Sequence, residues 1–293
     1  TITSSILRMT NGNIDLEGNF TISTDGTFDP VNNSHNIAGD WDDVDGTFQA
    51  TDGTITLSGI ATKTIKTGIN NKFNNLTIDG TIETFSDNDI EIGGVLEINE
   101  NETLTVVAGD QLTFTGNTSL HTILGTLTLN TTSGNNSTLD FTNSTDNTVT
   151  VNGTINLNGT DATGQALITG AADPSLVDLT ISDDVSGTGS GKFNGNFFTI
   201  SFPVANGVHI NTATEPTMGN GTFQNPTSGG TLLNLNNATV LPAVLDNLTF
   251  IGTPLDAFNV SADGNTDPVT FINYSGTLAN TAIVAEANDN DNL

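Results

Sequence analysis

Short apolar–polar–apolar triplets dominate the chain. Leu76-Thr77-Ile78, Ile90-Glu91-Ile92, Leu96-Glu97-Ile98, Leu104-Thr105-Val106, Leu112-Thr113-Phe114, Leu127-Thr128-Leu129, Val149-Thr150-Val151 and Ile155-Asn156-Leu157 all carry the pattern. A period of two is the period of a strand with one buried face. Gly-Thr, Asn-Gly and Asp-Gly pairs punctuate the runs, and such residues supply the positive φ angles of tight corners. Between Leu96 and Leu127 a new run starts about every 8 residues, too short for helical crossovers. That spacing suits the hairpins of a meander or the flat sides of a solenoid coil. Three sides would give a coil of roughly 20–25 residues. Threonine on the polar alternates fits a pleated surface, and asparagine can form ladders inside the corners of stacked coils. Both favour stacking. The expected fold is all-β, a parallel β-helix or β-solenoid.

Composition refines this picture. Hydrophobic residues are 34% of 293, below the roughly 45–50% of ordinary globular chains. With 15 Phe in the chain, the deficit reads as a thin core repeated many times rather than as disorder. Six of the eight prolines fall at or after Pro203. Strand-like runs persist there at Leu232–Leu235, Leu248–Ile251, Phe258-Asn259-Val260 and Val269–Ile272. Proline beside strands marks edges and irregular loops. Two regions are therefore expected: a solenoid over 1–202, and a proline-containing β segment over 203–293. The second would serve as a C-terminal β cap or small β domain, because a last coil exposes unpaired edges. The tail Asn288–Leu293 is expected to be mobile unless tied down.

The segment from Gly39 to Gly80 carries a pattern of its own. It runs Gly39-Asp40-Trp41, Gly46-Thr47-Phe48, Gly53-Thr54-Ile55-Thr56-Leu57-Ser58-Gly59, then Phe73-Asn74-Asn75-Leu76-Thr77-Ile78. This resembles a module of prokaryotic cell-surface β-strand-repeat proteins, which are adhesin-like and built as parallel β-helices or solenoids. The resemblance covers most of residues 20–160. It implies a secreted, surface-exposed protein, and it speaks to architecture more than to activity.

Charge narrows the partners. Lys and Arg number 5 against 33 Asp and Glu, for a net −28. Phosphate neutralisation needs Lys and Arg, so nucleic acid is excluded as a partner. An acidic coat keeps molecules apart and attracts cations. The chain has no cysteine, which excludes disulfides, thiolate metal sites and thiol catalysis. No apolar run reaches the roughly 18–20 residues of a membrane-spanning helix, so membrane insertion is not expected. A start at Thr1 without Met reads as a processed or trimmed N-terminus, which fits export.

Enzymes of pectate-lyase or galacturonase type also use β-helices. The lyases need a basic residue on an exposed strand beside acidic metal ligands, and no Lys or Arg here has that setting. Galacturonase-like sites need several Asp motifs, Gly-His-Gly and Arg-x-Lys. Only the fragment Asn265-Thr266-Asp267 is present, and His121 and His209 lack flanking glycines. No catalytic residues are assigned. Asp40, Asp42 and Asp45, with Asp43 among them, form an oxygen-only cluster of the kind that suits Ca²⁺. The competing reading is a solvated Asp-Gly turn. His35, His121 and His209 form no ligand motif and read as isolated surface or packed residues. Trp41 reads as a core or capping aromatic rather than a sugar platform. Asn-x-Ser/Thr triplets recur, among them those of Asn75, Asn117, Asn136, Asn143, Asn152, Asn158, Asn220, Asn247 and Asn273. They are candidate glycosylation acceptors, although so much Asn and Thr generates many by chance.

The expected function is structural: an extracellular subunit that assembles with copies of itself into a cell-surface filament, sheath or surface layer. The alternatives are the stalk of an adhesin and a polysaccharide-active β-helix enzyme, with glycans as partners.

Overall fold

The structure is a computed structural model. It describes residues 1–84, 89–117, 120–143, 147–172, 176–183, 190–235, 244–252, 258–261 and 270–278. The expected mobile tail and the Asn265-Thr266-Asp267 fragment lie outside these residues. All regular structure within them is strand. One coil shows the plan. Leu120–Ile123 forms a first face, Thr126–Asn130 a second and Ser137–Asp140 a third. The next coil repeats it with Thr148–Val151, Thr154–Asn158 and Ala166–Thr169. Each strand pairs in parallel with its counterpart one coil on: Ile123 with Val151, Leu127 with Ile155, Leu139 with Ile168. The protein is a three-sided parallel β-solenoid. Parallel pairing excludes the meander.

Strict register follows from the two-residue period. Leu127 and Leu129 sit inside against Ile155 and Leu157, and a slip by one residue would turn both outward. The strands Thr54–Lys66 and Asn75–Thr84 bend through the corner between the first and second faces. Two later coils turn that corner on Gly125 and Gly153, and the reason is room. A Cβ at Gly125 would lie 2.3 Å from the carbonyl oxygens of Asn99 and Glu102. At Gly153 it would lie 2.0 Å from the oxygen of Gly125. The recurrent Gly-Thr pairs thus mark close coil-to-coil approach, joined at Gly53 and Gly276 by a positive φ; among the asparagines positive φ falls at Asn101, Asn220, Asn247 and Asn273.

Coil length starts near the expected value, grows along the middle of the stack and falls back to 24 and 27 residues between Asn196, Asn220 and Asn247. Asn99 bonds Asp79 across 20 residues, Asn152 bonds Ser182 across 30, and Asn194 bonds Asn156 across 38. Insertions at corners leave the faces in register, since only the strands carry the ladder. The core is a single column of inward side chains. In the first coils it is aromatic: Trp41 packs on Phe20, Phe48 and Phe73 at centroid distances of 4.9, 4.8 and 5.2 Å. Farther along, Phe223 meets Phe198 edge-to-face at 5.5 Å and stacks on Phe250 at 5.7 Å.

The ladders run through Pro203 in the same parallel sense. Thr199 pairs with Thr222, Phe223 with Phe250, Leu233 with Val260 and Leu245 with Phe271. The strands expected around 232–235, 248–251, 258–260 and 269–272 are present as further coils.

Candidate functional site

The acidic turn after Trp41 was the first candidate. Its carboxylates diverge. Asp40 accepts hydrogen bonds from the backbone N–H and hydroxyl of Thr64 on the next coil, at 2.9 and 3.1 Å. Asp42 accepts from Val44 N–H within its own turn, and Asp45 is exposed. Among the described residues no three His, Asp or Glu side chains converge on a common point.

The residue with a built environment is Asp43. Its side chain is fully buried, with Oδ2 accepting from Trp41 Nε1 at 2.9 Å and Oδ1 from Gly68 N–H at 2.6 Å. Asn71 completes the node by donating to the carbonyls of Asp43 and Gly46 and accepting from Phe48 N–H. One carboxylate and one amide thereby stitch two successive coils. Burial pushes Asp43 up to about 6, against the opposing pull of its hydrogen-bond donors. In the sequence, the signal was the Trp41-x-Asp43 spacing, which puts both side chains on one inward face.

The three histidines lie apart. His35 and His121 are core residues with Nδ1 turned to the preceding coil, accepting from Ile14 N–H at 2.9 Å and Leu96 N–H at 3.0 Å. Each ring therefore carries its proton on Nε2. His35 Nε2 faces the Pro30 carbonyl at 3.4 Å, whereas His121 Nε2 is buried without a partner. Burial lowers His121 to about 4 and also lowers His35. His209 sits half-buried on the first face between Thr180 and Asn234. Trp41 is fully buried, as a core aromatic should be.

The sequon asparagines divide by what their side chains already do. A ladder climbs the corner after the second face: Asn158 donates to Asn130, Asn220 to Asn196, Asn247 to Asn220 and Asn273 to Asp246. Asn152 Nδ2 donates to the carbonyls of Ser182 and Asp183. Half-buried Asn75 accepts from Val95 N–H. Asn136 accepts from Gln165 N–H through Oδ1 and is exposed, as are Asn117 and Asn143. The expected asparagine ladder is thus real, but it runs along the outside of a corner.

The flanks are shallow. A representative groove of about 210 Å³ is lined by Thr54, Asn75, Thr77, Val95 and Glu97 and brings one carboxylate to its wall. With only 5 Lys and Arg in the chain, ion pairing is sparse; Arg8 pairs with Asp29 at 3.1 Å. No helix among them is long and apolar enough to cross a membrane. Comparison with protein-family models, curated proteins and solved structures returns no match.

Proposed function

We propose that the chain is an extracellular structural protein, a subunit that assembles with its own copies into a filament, sheath or surface layer. The observation that carries this reading is the parallel ladder itself: each coil offers its strand edges to the next, as Ile6–Arg8 does to Thr27–Asp29 and Ser137–Asp140 to Ala166–Thr169, and an edge that takes a coil of the same chain also suits a coil of another copy. On the strand Ile6–Arg8, Ile6 is 73% exposed. Electron microscopy and light scattering of the purified protein, over a range of concentration, Ca²⁺ and pH, test it. Regular polymers are the expected result, and monomers under every condition would end this version.

A second reading, an adhesin stalk, draws on coil order. Coils stack in sequence order, so the first and last described coils lie at opposite ends of the stack. That suits a spacer. A long reading frame with a wall or membrane anchor would favour the stalk; a short secreted frame would favour the subunit. Ca²⁺ at the acidic turn and glycans at the exposed sequons belong to either reading. Calorimetric titration with Ca²⁺ and mass spectrometry of the native material test them.

A further inference from the structure

We propose that His121 is an acid-sensitive latch between two central coils of the solenoid, holding them together only while its imidazole is neutral. The geometry is specific. His121 lies on the inward side of Leu120–Ile123, and its Nδ1 takes the N–H of Leu96, the residue that opens the strand above. A side chain here does the work of a backbone carbonyl. The ring lies nearly flat on Phe114, 3.8 Å between centroids at 21°, and Phe114 packs in turn on Phe141. The Nε2–H end is enclosed without an acceptor.

A second proton has only Nδ1 to occupy. Protonation there would set two N–H groups against each other and release the Leu96 amide. It would also place a positive charge among Phe114, Phe141 and Val149. No compensating anion faces the ring. Leu96–Ile98 brings Glu97, which points outward; Thr126–Asn130 and Thr148–Val151 bring no charged group. Gln111–Phe114 is preceded by Asp110, and Ser137–Asp140 ends in Asp140, whose carboxylate is occupied by Thr142 and Gln111. None of these acids bonds the imidazole, and burial alone accounts for its weakened basicity. The same Nδ1-to-amide bond at His35 shows that the device is used twice.

The sign follows from linkage. With a folded value near 4 and an ordinary value of 6.5, His121 contributes stability that is full above 6.5 and is lost as pH falls through about 4. Two measurements on the whole chain test the latch. In protein carrying ¹⁵N-histidine, the His121 ring at pH 5 should show an unprotonated Nδ1 and a protonated Nε2. A doubly protonated ring in folded protein at that pH would overturn the proposal. Denaturant unfolding should compare the protein with His121→Asn, whose Oδ1 keeps an acceptor for Leu96 but cannot titrate. Between pH 6 and 4.5 the unfolding constant of the parent should rise, relative to the variant, about tenfold per pH unit. A ratio that does not change with pH would also overturn it. If the variant does not fold, the ring spectrum decides alone.

Discussion

Asp43 sets the opposite pH response to His121, and the two can be separated by residue. Its carboxyl binds a proton more tightly in the folded state, near 6 against an ordinary 3.8. Stability from this group therefore rises as pH falls from 7 towards 4. Between pH 7 and 5 the gain relative to Asp43→Asn should be about 1 kcal/mol, because each tenfold difference in proton affinity is worth about 1.4 kcal/mol. Thermal melts of parent and variant across that range would show it. A constant difference would mean that the donors at Trp41 and Gly68 keep the carboxylate at its ordinary strength. At this scale the sequence was only partly legible. It placed Trp41 in the core, and it foresaw packed or surface histidines. It could not single out Asp43 from Asp40, Asp42 and Asp45, because the four look alike until the corner turns one of them inward. Nor could it show that His121 occupies an inward strand position normally held by an aliphatic residue, as Val149 holds it one coil on.

At the scale of the strand and corner, the sequence was more informative, because a two-residue period has few solutions. The triplets from Leu76-Thr77-Ile78 to Ile155-Asn156-Leu157 all became strands with the apolar pair inside. What the period does not encode is which face a strand joins, since all three faces use the same alternation. The glycines were misread in part for a similar reason: a residue demanded by close approach and one demanded by positive φ are both written Gly. Substitution distinguishes them. Gly153→Ala pushes a methyl against the Gly125 oxygen, so backbone must move; it should cost about 3 kcal/mol or prevent folding. Gly134 has open space but φ +82°, so Gly134→Ala should cost only about 1 kcal/mol. Gly18, with open space and no positive φ, should accept Ala with a change under about 1 kcal/mol. Urea midpoints of the three variants would rank them. Gly153→Ala ranking with Gly18→Ala would contradict the tight corner.

At the scale of the molecule, the composition break at Pro203 and the continuity of the ladders describe one object. Pro216 and Pro226 lie in connections, where a missing N–H is harmless, while the strands around them keep their pairs. The resulting stack carries a net −28 with only 5 Lys and Arg, so any approach of two copies is opposed along its whole length. In the proposed assembly the short-range attraction is that of strand edge for strand edge. The proposed assembly should therefore be governed by screening. Raising salt from 10 to 150 mM shortens the Debye length from about 30 to 8 Å, and particle size by light scattering should grow accordingly. Millimolar Ca²⁺ should act at lower ionic strength than Na⁺, by condensing on carboxylates. Ile6→Lys puts a charge on the strand Ile6–Arg8 without touching the buried column, and should abolish growth at 150 mM salt while leaving the melting temperature unchanged. Growth that ignores salt, chelator and this edge substitution alike would place the contact on the lateral faces. The threonine- and asparagine-bearing sheets, rather than the coil ends, would then be the surface that joins one copy to the next.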